Sequence, residues 1–325
     1  MNKPSILLTR RLPEPCMEVL EASSNLTVNP DDAPMNRSAL LEMVPKQDGL
    51  ISLGQDKVDA ELIEAGSRLR VISQYAVGYN NIDLKAATER KLPVTNTPGV
   101  LTESTADVAW ALIFAVARRV IEGDRLVRSG TWEGAAPTQM LGADITGATL
   151  GLVGLGRIGR AMIPRAKGFG MNILYWNRTR YTPEQERSLG VTYLPLERLL
   201  ERSDFVSLHV ALSSETRHLM NREALERMRR NSYLINTTRG PVVDEAALVD
   251  VLRKGGIAGA GLDVYENEPA LHPGLADLDN AVLLPHVGSA TLQVRTRMGF
   301  LAIENCLSAC RGHRPLFVVN PGVYV

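Results

Sequence analysis

Three short segments carry side chains that together suit the reduction of a carbonyl. The first, Ile235 to Glu245, contains Arg239; the second, Gly261 to Pro269, contains Glu268; the third, Leu284 to Thr291, contains His286. Delivering hydride to a carbonyl carbon requires a proton for its oxygen, and histidine can supply one near neutral pH. A carboxylate beside the ring favours the imidazolium and fixes its orientation. An arginine offers paired donors to a carboxylate and to a polarised carbonyl. A small 2-keto acid presents both groups. Taken singly, each residue has an ordinary explanation. An arginine after a strand often forms a surface ion pair, Glu268 before Pro269 suits a turn, and His286 suits a helix entrance capped by Ser289. Of the other histidines only His209 sits at a strand end; His218, His272 and His313 lack comparable settings.

A second motif supplies the hydride source. The β-rich run Thr149 to Val153 leads into Gly154-Leu-Gly156-Arg157-Ile158-Gly159, followed by a helical pattern and another β-rich run. Gly154 permits a tight turn, Gly156 lets backbone approach a pyrophosphate, and Gly159 lets helix lie against strand. The amides and dipole at the helix start face the phosphates. Arg157 and Ile158 open that helix, and Thr237 lies at another strand end, so all three are assigned to the cofactor. The next strand ends in Asn177-Arg178-Thr179-Arg180, and no acidic residue occurs between Gly154 and Glu184. An NAD site usually has Asp or Glu there for the ribose diol, whereas arginine and threonine suit a 2′-phosphate. Asn177, Arg178 and Thr179 are therefore read as favouring NADP(H), with NAD(H) possible. The alternative is a solvated basic turn that accepts either cofactor.

These motifs need elements that bring strand ends together. Short runs at Ile6–Thr9, Leu26–Val28, Gly49–Leu53, Arg70–Ser73 and Pro93–Thr95 alternate with helical patterns, including one from Val58 to Ala65 and one entered through Pro13 and Pro15. A long apolar helix opens at Thr102, read as its N-cap, and ends near Arg119. A second series has strands at 149–153, 172–176, 191–193, 205–209, 233–236, 258–263 and 281–284. A last helix runs from about Ser289 to Cys310, and the tail from Pro315 is expected to return to the first series. Strand–helix alternation of this kind predicts an α/β protein with doubly wound parallel sheets. The expected organisation is two Rossmann-like domains. A cofactor domain, 100–288, is inserted in a flavodoxin-like substrate domain made of 1–99 and 289–325.

Composition narrows the alternatives. Of 325 residues, 45% are hydrophobic and 22% charged, the balance of an ordinary globular chain. With 36 basic and 36 acidic residues and no basic run, nucleic acid is not an expected partner. No apolar stretch reaches the roughly 20 residues of a membrane span, and the first residues, Met1-Asn2-Lys3-Pro4, do not open a signal peptide, so a cytoplasmic enzyme is expected. Three cysteines do not form a disulfide framework. Cys306 and Cys310, followed by His313, lack a second ligand cluster; they read as small buried thiols and no metal is expected.

The motifs as a set resemble the D-isomer-specific 2-hydroxyacid dehydrogenase family. The matching pieces are Val77 to Asp83, Thr102 to Asp107, Gly154 to Gly159, Asn236 to Glu245, Asp263 to Pro269 and Pro285 to Thr291. The resemblance implies that Arg239 binds substrate, Glu268 is the partner carboxylate and His286 the acid/base, with Glu266 not the catalytic acid. It further implies that Val77 and Gly78 offer N–H groups to the substrate carboxylate, that Leu53 lines the pocket, and that Arg295 points toward the site. Thr105 and Asp263 would touch the cofactor. The glyoxylate/hydroxypyruvate reductase and 2-ketogluconate reductase branch is the most similar. A homodimer built on the Thr102–Arg119 helix and the Trp132–Thr146 loop is implied as well. Phosphite- or phosphoglycerate-type dehydrogenases of the same family, and a non-catalytic dinucleotide-sensing corepressor, are the alternatives.

Overall fold

The computed structural model describes residues 3–31 and 33–324; the expectations for Met1, Asn2 and Val325 lie outside them. The chain forms two compact units, Met1–Leu101 with Ser289–Val325, and Thr102–Gly288.

The first unit holds a parallel sheet of β1 (Ser5–Leu8), β2 (Asn25–Val28), β3 (Gly49–Ser52), β4 (Val71–Gln74) and β5 (Val94–Thr95), in the order β2-β1-β3-β4-β5. β3 and β4 are buried along their whole length, as strands covered on both faces must be. The helix Leu292–Cys310 packs on β3 and β4. Its N-cap is Thr291, whose hydroxyl accepts from Val294 N–H, rather than Ser289. Cys16, Cys306 and Cys310 are buried thiols of this core, whereas His313 is exposed. The tail returns as expected: Val319 N–H donates to Val94 O, and Val318 bridges Thr95 at the sheet edge.

The second unit holds a seven-stranded parallel sheet. Its strands are β6 (Thr149–Val153), β7 (Asn172–Trp176), β8 (Thr192–Tyr193), β9 (Phe205–Leu208), β10 (Tyr233–Asn236), β11 (Gly259–Leu262) and β12 (Ala281–Leu283). Their order is β12-β11-β10-β9-β6-β7-β8, so the winding reverses between β6 and β9. Such a reversal opens a crevice beyond the strands' carboxyl ends, where ligands bind.

One expectation about the long helix needs correction. It begins at Thr102, which is its first turn and not its cap, and ends at Ala117. Its apolar side chains, among them Leu112, Ile113 and Val116, enter the core of its own unit against β10 and β11. After Arg119, in left-handed conformation at φ 51°, a separate helix runs from Val120 to Arg128 and buries no residue. A run of exposed apolar side chains sits there and beyond: Val120, Ile121, Val127, Trp132 and Leu141 are 40–66% exposed.

Candidate active site

The dinucleotide turn is built as its glycines require. Gly154 takes φ 99°, and a Cβ there would lie 2.7 Å from the His209 backbone at the end of β9. A Cβ on Gly159 would lie 2.3 Å from Gly154 O. Gly156, by contrast, faces open space. It is also the N-cap of the helix Arg157–Gly168, with no side chain bonded to the first-turn amides. Those amides and that open face fit a pyrophosphate. Thr237 Oγ1, at the end of β10, is buried with no hydrogen-bond partner among the described residues, a further polar group suited to a ligand.

The loop after β7 is occupied differently from its sequence reading. Asn177 Oδ1 accepts from Leu155 N–H at 2.7 Å and so closes the glycine turn. Arg178 is highly exposed and pairs with Glu215 at 2.7 Å. Arg180 forks onto both oxygens of Glu186 and lies over the Tyr193 ring. Thr179 is exposed. The stretch lacks acids in sequence, yet folding brings two to it.

Arg239, Glu268 and His286 follow β10, β11 and β12 respectively. His286 Nδ1 lies 2.9 Å from Glu268 Oε2. Glu268 Oε1 accepts from Tyr265 N–H at 3.0 Å. Burial by itself would raise the Glu268 pKa, but the bond and charge of His286, the Tyr265 amide and the Arg239 charge hold it below the usual carboxylate value. Arg239 is largely enclosed, and burial draws its pKa down; a guanidinium stays charged regardless. Its Nη1 donates to Thr238 O at 2.7 Å.

His286 has φ 54°, a left-handed conformation rarely taken by a residue other than glycine. Asp263 holds it there. One Asp263 oxygen accepts from Val287 N–H at 2.7 Å and the other from Gly288 N–H at 2.8 Å. Thr105 donates its hydroxyl to Gly288 O at 3.2 Å. Both Thr105 and Asp263 are buried, so the two residues expected at the cofactor are engaged with the turn that carries the histidine.

Sequence reasoning missed the contacts of four residues, Tyr265, His218, Glu266 and Glu245. Tyr265 joins all three segments: its amide holds Glu268, its hydroxyl donates to Leu284 O at 2.8 Å, and a Cβ on Gly240 would collide with its backbone. His218, set aside in the sequence, pairs with Glu266 at 2.6 Å. Glu266 also exchanges backbone-to-carboxylate bonds with Glu245. This second pair fastens the segment after Arg239 to the segment before Glu268. Forty-eight positions separate His218 from Glu266, so no local pattern announces the contact. In the first unit, Leu53 follows β3 and Val77 and Gly78 follow β4, while Arg295 lies on the helix Leu292–Cys310 with its backbone O accepting from the Tyr75 hydroxyl at 2.8 Å.

A family model described as D-isomer specific 2-hydroxyacid dehydrogenase, NAD binding domain, matches residues 110–288. A glyoxylate reductase of Korarchaeum cryptofilum is 51% identical over 324 residues, covering 99% of this chain and 97% of the relative. This chain belongs to the D-isomer-specific 2-hydroxyacid dehydrogenase family. It is a dehydrogenase of that family, and its second unit is a nicotinamide-dinucleotide-binding domain. Solved structures agree. A glyoxylate reductase from Paecilomyes thermophila superposes with a TM-score of 0.86 at 35% identity, covering 98% of this chain and 99% of that one. An NADPH-dependent glyoxylate/hydroxypyruvate reductase from Sinorhizobium meliloti, in complex with NADP and malonate, gives 0.86 at 34% identity over 98% and 97%. No helix among the described residues is long and apolar enough to cross a membrane.

Proposed function

We propose that this dehydrogenase reduces glyoxylate, and with it hydroxypyruvate or 2-ketogluconate, to the D-2-hydroxy acid, with NADPH preferred to NADH. The observation that carries the reading is the His286–Glu268 pair on a turn fixed by Asp263. Bound NADPH supplies the hydride. With Nδ1 held by Glu268, the His286 ring turns Nε2 toward the substrate and donates a proton to the keto oxygen as hydride arrives at carbon. Glu268 stabilises the charged ring before that transfer. Arg239 pairs its fork with the substrate carboxylate and polarises the carbonyl. In the first unit, taken as the substrate-binding domain, Val77 and Gly78 offer backbone N–H groups to the carboxylate, and Leu53 and Arg295 line the pocket.

Gly154, Gly156 and Gly159 hold the pyrophosphate, with Arg157, Ile158 and Thr237 beside it. The NADPH preference rests on Arg178, with Thr179 and Asn177 in the same loop. The Arg178–Glu215 pair is exposed, and exposed pairs are worth about 0–1 kcal/mol. A 2′-phosphate with nearly two negative charges displaces such a partner readily. The relative of known structure named as NADPH-dependent supports this. The exposed apolar side chains from Val120 to Leu141 support a homodimer.

Steady-state rates for glyoxylate, hydroxypyruvate and 2-ketogluconate with each cofactor test the reading. Glyoxylate is expected to give NADPH-dependent turnover; its absence, with phosphite or phosphoglycerate oxidised instead, would replace the reading.

A further inference from the structure

The loop after β4, residues 75–82, is pinned by one backbone N–H and by the side-chain amides of Asn96 and Gln74. Thr97 N–H donates to Ala76 O at 3.0 Å. Asn96 Nδ2 donates to Val77 O at 2.8 Å. Gln74 Nε2 donates to Asn81 Oδ1 at 2.9 Å and, longer, to Gly78 O at 3.4 Å. Asn81 Nδ2 in turn donates to Leu53 O at 3.1 Å and to Asp56 O at 2.8 Å, which ties the loop after β3 to the same brace. Gln74 is fully buried and its Oε1 accepts from Ser52 Oγ at 2.7 Å. Asn96 is itself held, since its amide donates to Phe317 O and its carbonyl accepts from buried Asn305.

These bonds have a directional consequence. In a trans peptide unit the carbonyl and the following N–H point opposite ways. Fixing Ala76 O therefore aims Val77 N–H away from Thr97, and fixing Val77 O aims Gly78 N–H away from Asn96. Neither N–H has a hydrogen-bond acceptor among the described residues, and the loop is only half-buried there. Paired, outward N–H groups make an anion-binding concavity. An Asn96 without its donor would leave the 77–78 peptide free to rotate, and Gly78 adds no side-chain restraint against that.

We infer that Asn96, held by Asn305 and acting on a loop that the Gln74–Asn81 pair also pins, is a positioning residue that presents the Val77 and Gly78 N–H groups to the substrate carboxylate. The inference rests on the substrate reading given above for those two amides. Asn96 does not touch the substrate; it acts through the Val77 carbonyl, so its loss is felt in carboxylate affinity more than in the chemical step.

The test uses the full-length protein loaded with NADPH and titrated with oxalate as the probe. Asn96→Leu is expected to weaken oxalate about tenfold or more, the size of one or two lost hydrogen bonds to a charge, with NADPH affinity within about twofold of wild type. Asn81→Ser, which leaves Asn96 intact but cuts the brace, is expected to weaken oxalate by about threefold or more. The glyoxylate KM should rise in parallel while kcat falls much less. Oxalate affinity unchanged in Asn96→Leu overturns the inference, as does a wild type that binds no oxalate. Should Asn96→Leu lose NADPH as well, unchanged oxalate affinity in Asn81→Ser overturns it. A wild type that binds oxalate with these effects yet does not reduce glyoxylate removes the glyoxylate reading and leaves the inference standing.

Discussion

His286 Nδ1 lies 2.9 Å from Glu268 Oε2, although the two side chains belong to loops that leave different strands. Tyr265 keeps them in register, with its amide on Glu268 and its hydroxyl on Leu284 O, two residues before the histidine. In the proposed reaction Glu268 holds the ring in place for proton transfer. Glu268→Gln replaces a charge-assisted bond with a neutral one, so kcat is expected to fall about tenfold or more, about 1.4 kcal/mol in the transition state, with NADPH affinity near wild type. An unchanged kcat would remove Glu268 from this role. The Glu268 pKa is lowered in the fold, so its ionised form stabilises the native state above the usual value of 4.5, and that contribution fades as pH falls through the folded value.

Asp263→Ala strips acceptors from the Val287 and Gly288 amides. Each buried amide left unpaired costs about 1–3 kcal/mol, and His286 is freed from its left-handed conformation. A lower melting temperature is expected together with a kcat reduced about tenfold or more, a loss of about 1.4 kcal/mol in the transition state, while NADPH affinity stays near wild type. If NADPH affinity falls and kcat at saturation does not, Asp263 serves the cofactor and not the turn.

His209 is half-buried behind the glycine turn, with its Nδ1 shut away from solvent and its Nε2 2.9 Å from Ser207 Oγ, and desolvation pushes its pKa down from 6.5 to about 3. The unfolded chain takes up a proton near pH 6.5 and the folded one does not. Stability contributed by this site is thus present above pH 6.5 and is lost progressively as pH falls toward about 3. Urea midpoints measured between those limits should decline in wild type, and His209→Gln should decline less. Equal slopes for the two proteins would refute the assignment.

Arg178→Ala is expected to cut the NADPH-over-NADH ratio of kcat/KM by roughly ten- to a hundredfold, since a charge-assisted bond is worth about 1.5–3 kcal/mol. Glu215→Gln should raise the ratio, because the competing carboxylate disappears. A wild-type ratio near one, or a ratio indifferent to both changes, would show the loop to be a solvated turn.

Light scattering should give the mass of two chains. Val127→Asp combined with Leu141→Asp places charge on two of the most exposed apolar side chains and should yield one chain. A wild type that is already a monomer at micromolar concentration would defeat the dimer.

Much of the architecture is legible in the sequence because parallel strands are short apolar runs between turn residues. Thr149–Val153 and Tyr233–Asn236 coincide with the runs that suggested them. The glycine turn is legible for a similar reason, since its steric demands act between neighbours. What escaped is non-local or depends on small conformational choices. Glu215 and Glu186 reach the basic loop only through folding, 37 and 6 positions from their arginines. The helix Val120–Arg128 has no clear mark in the sequence because only the left-handed Arg119 separates it from the helix before. Thr291 displaced Ser289 as cap because its hydroxyl is the one that reaches the first-turn amide.

The division of the chain sets an order of events during synthesis. Everything needed for the cofactor unit is contiguous, from Thr102 to Gly288. The first unit waits for the helix that covers β3 and β4 and for Val319, which closes the edge of β5, both of which leave the ribosome after the cofactor unit. Until then β3 and β4 have an uncovered apolar face, the surface on which chaperones act. A nascent chain arrested shortly after Gly288 should already hold NADPH while its opening hundred residues remain open to protease.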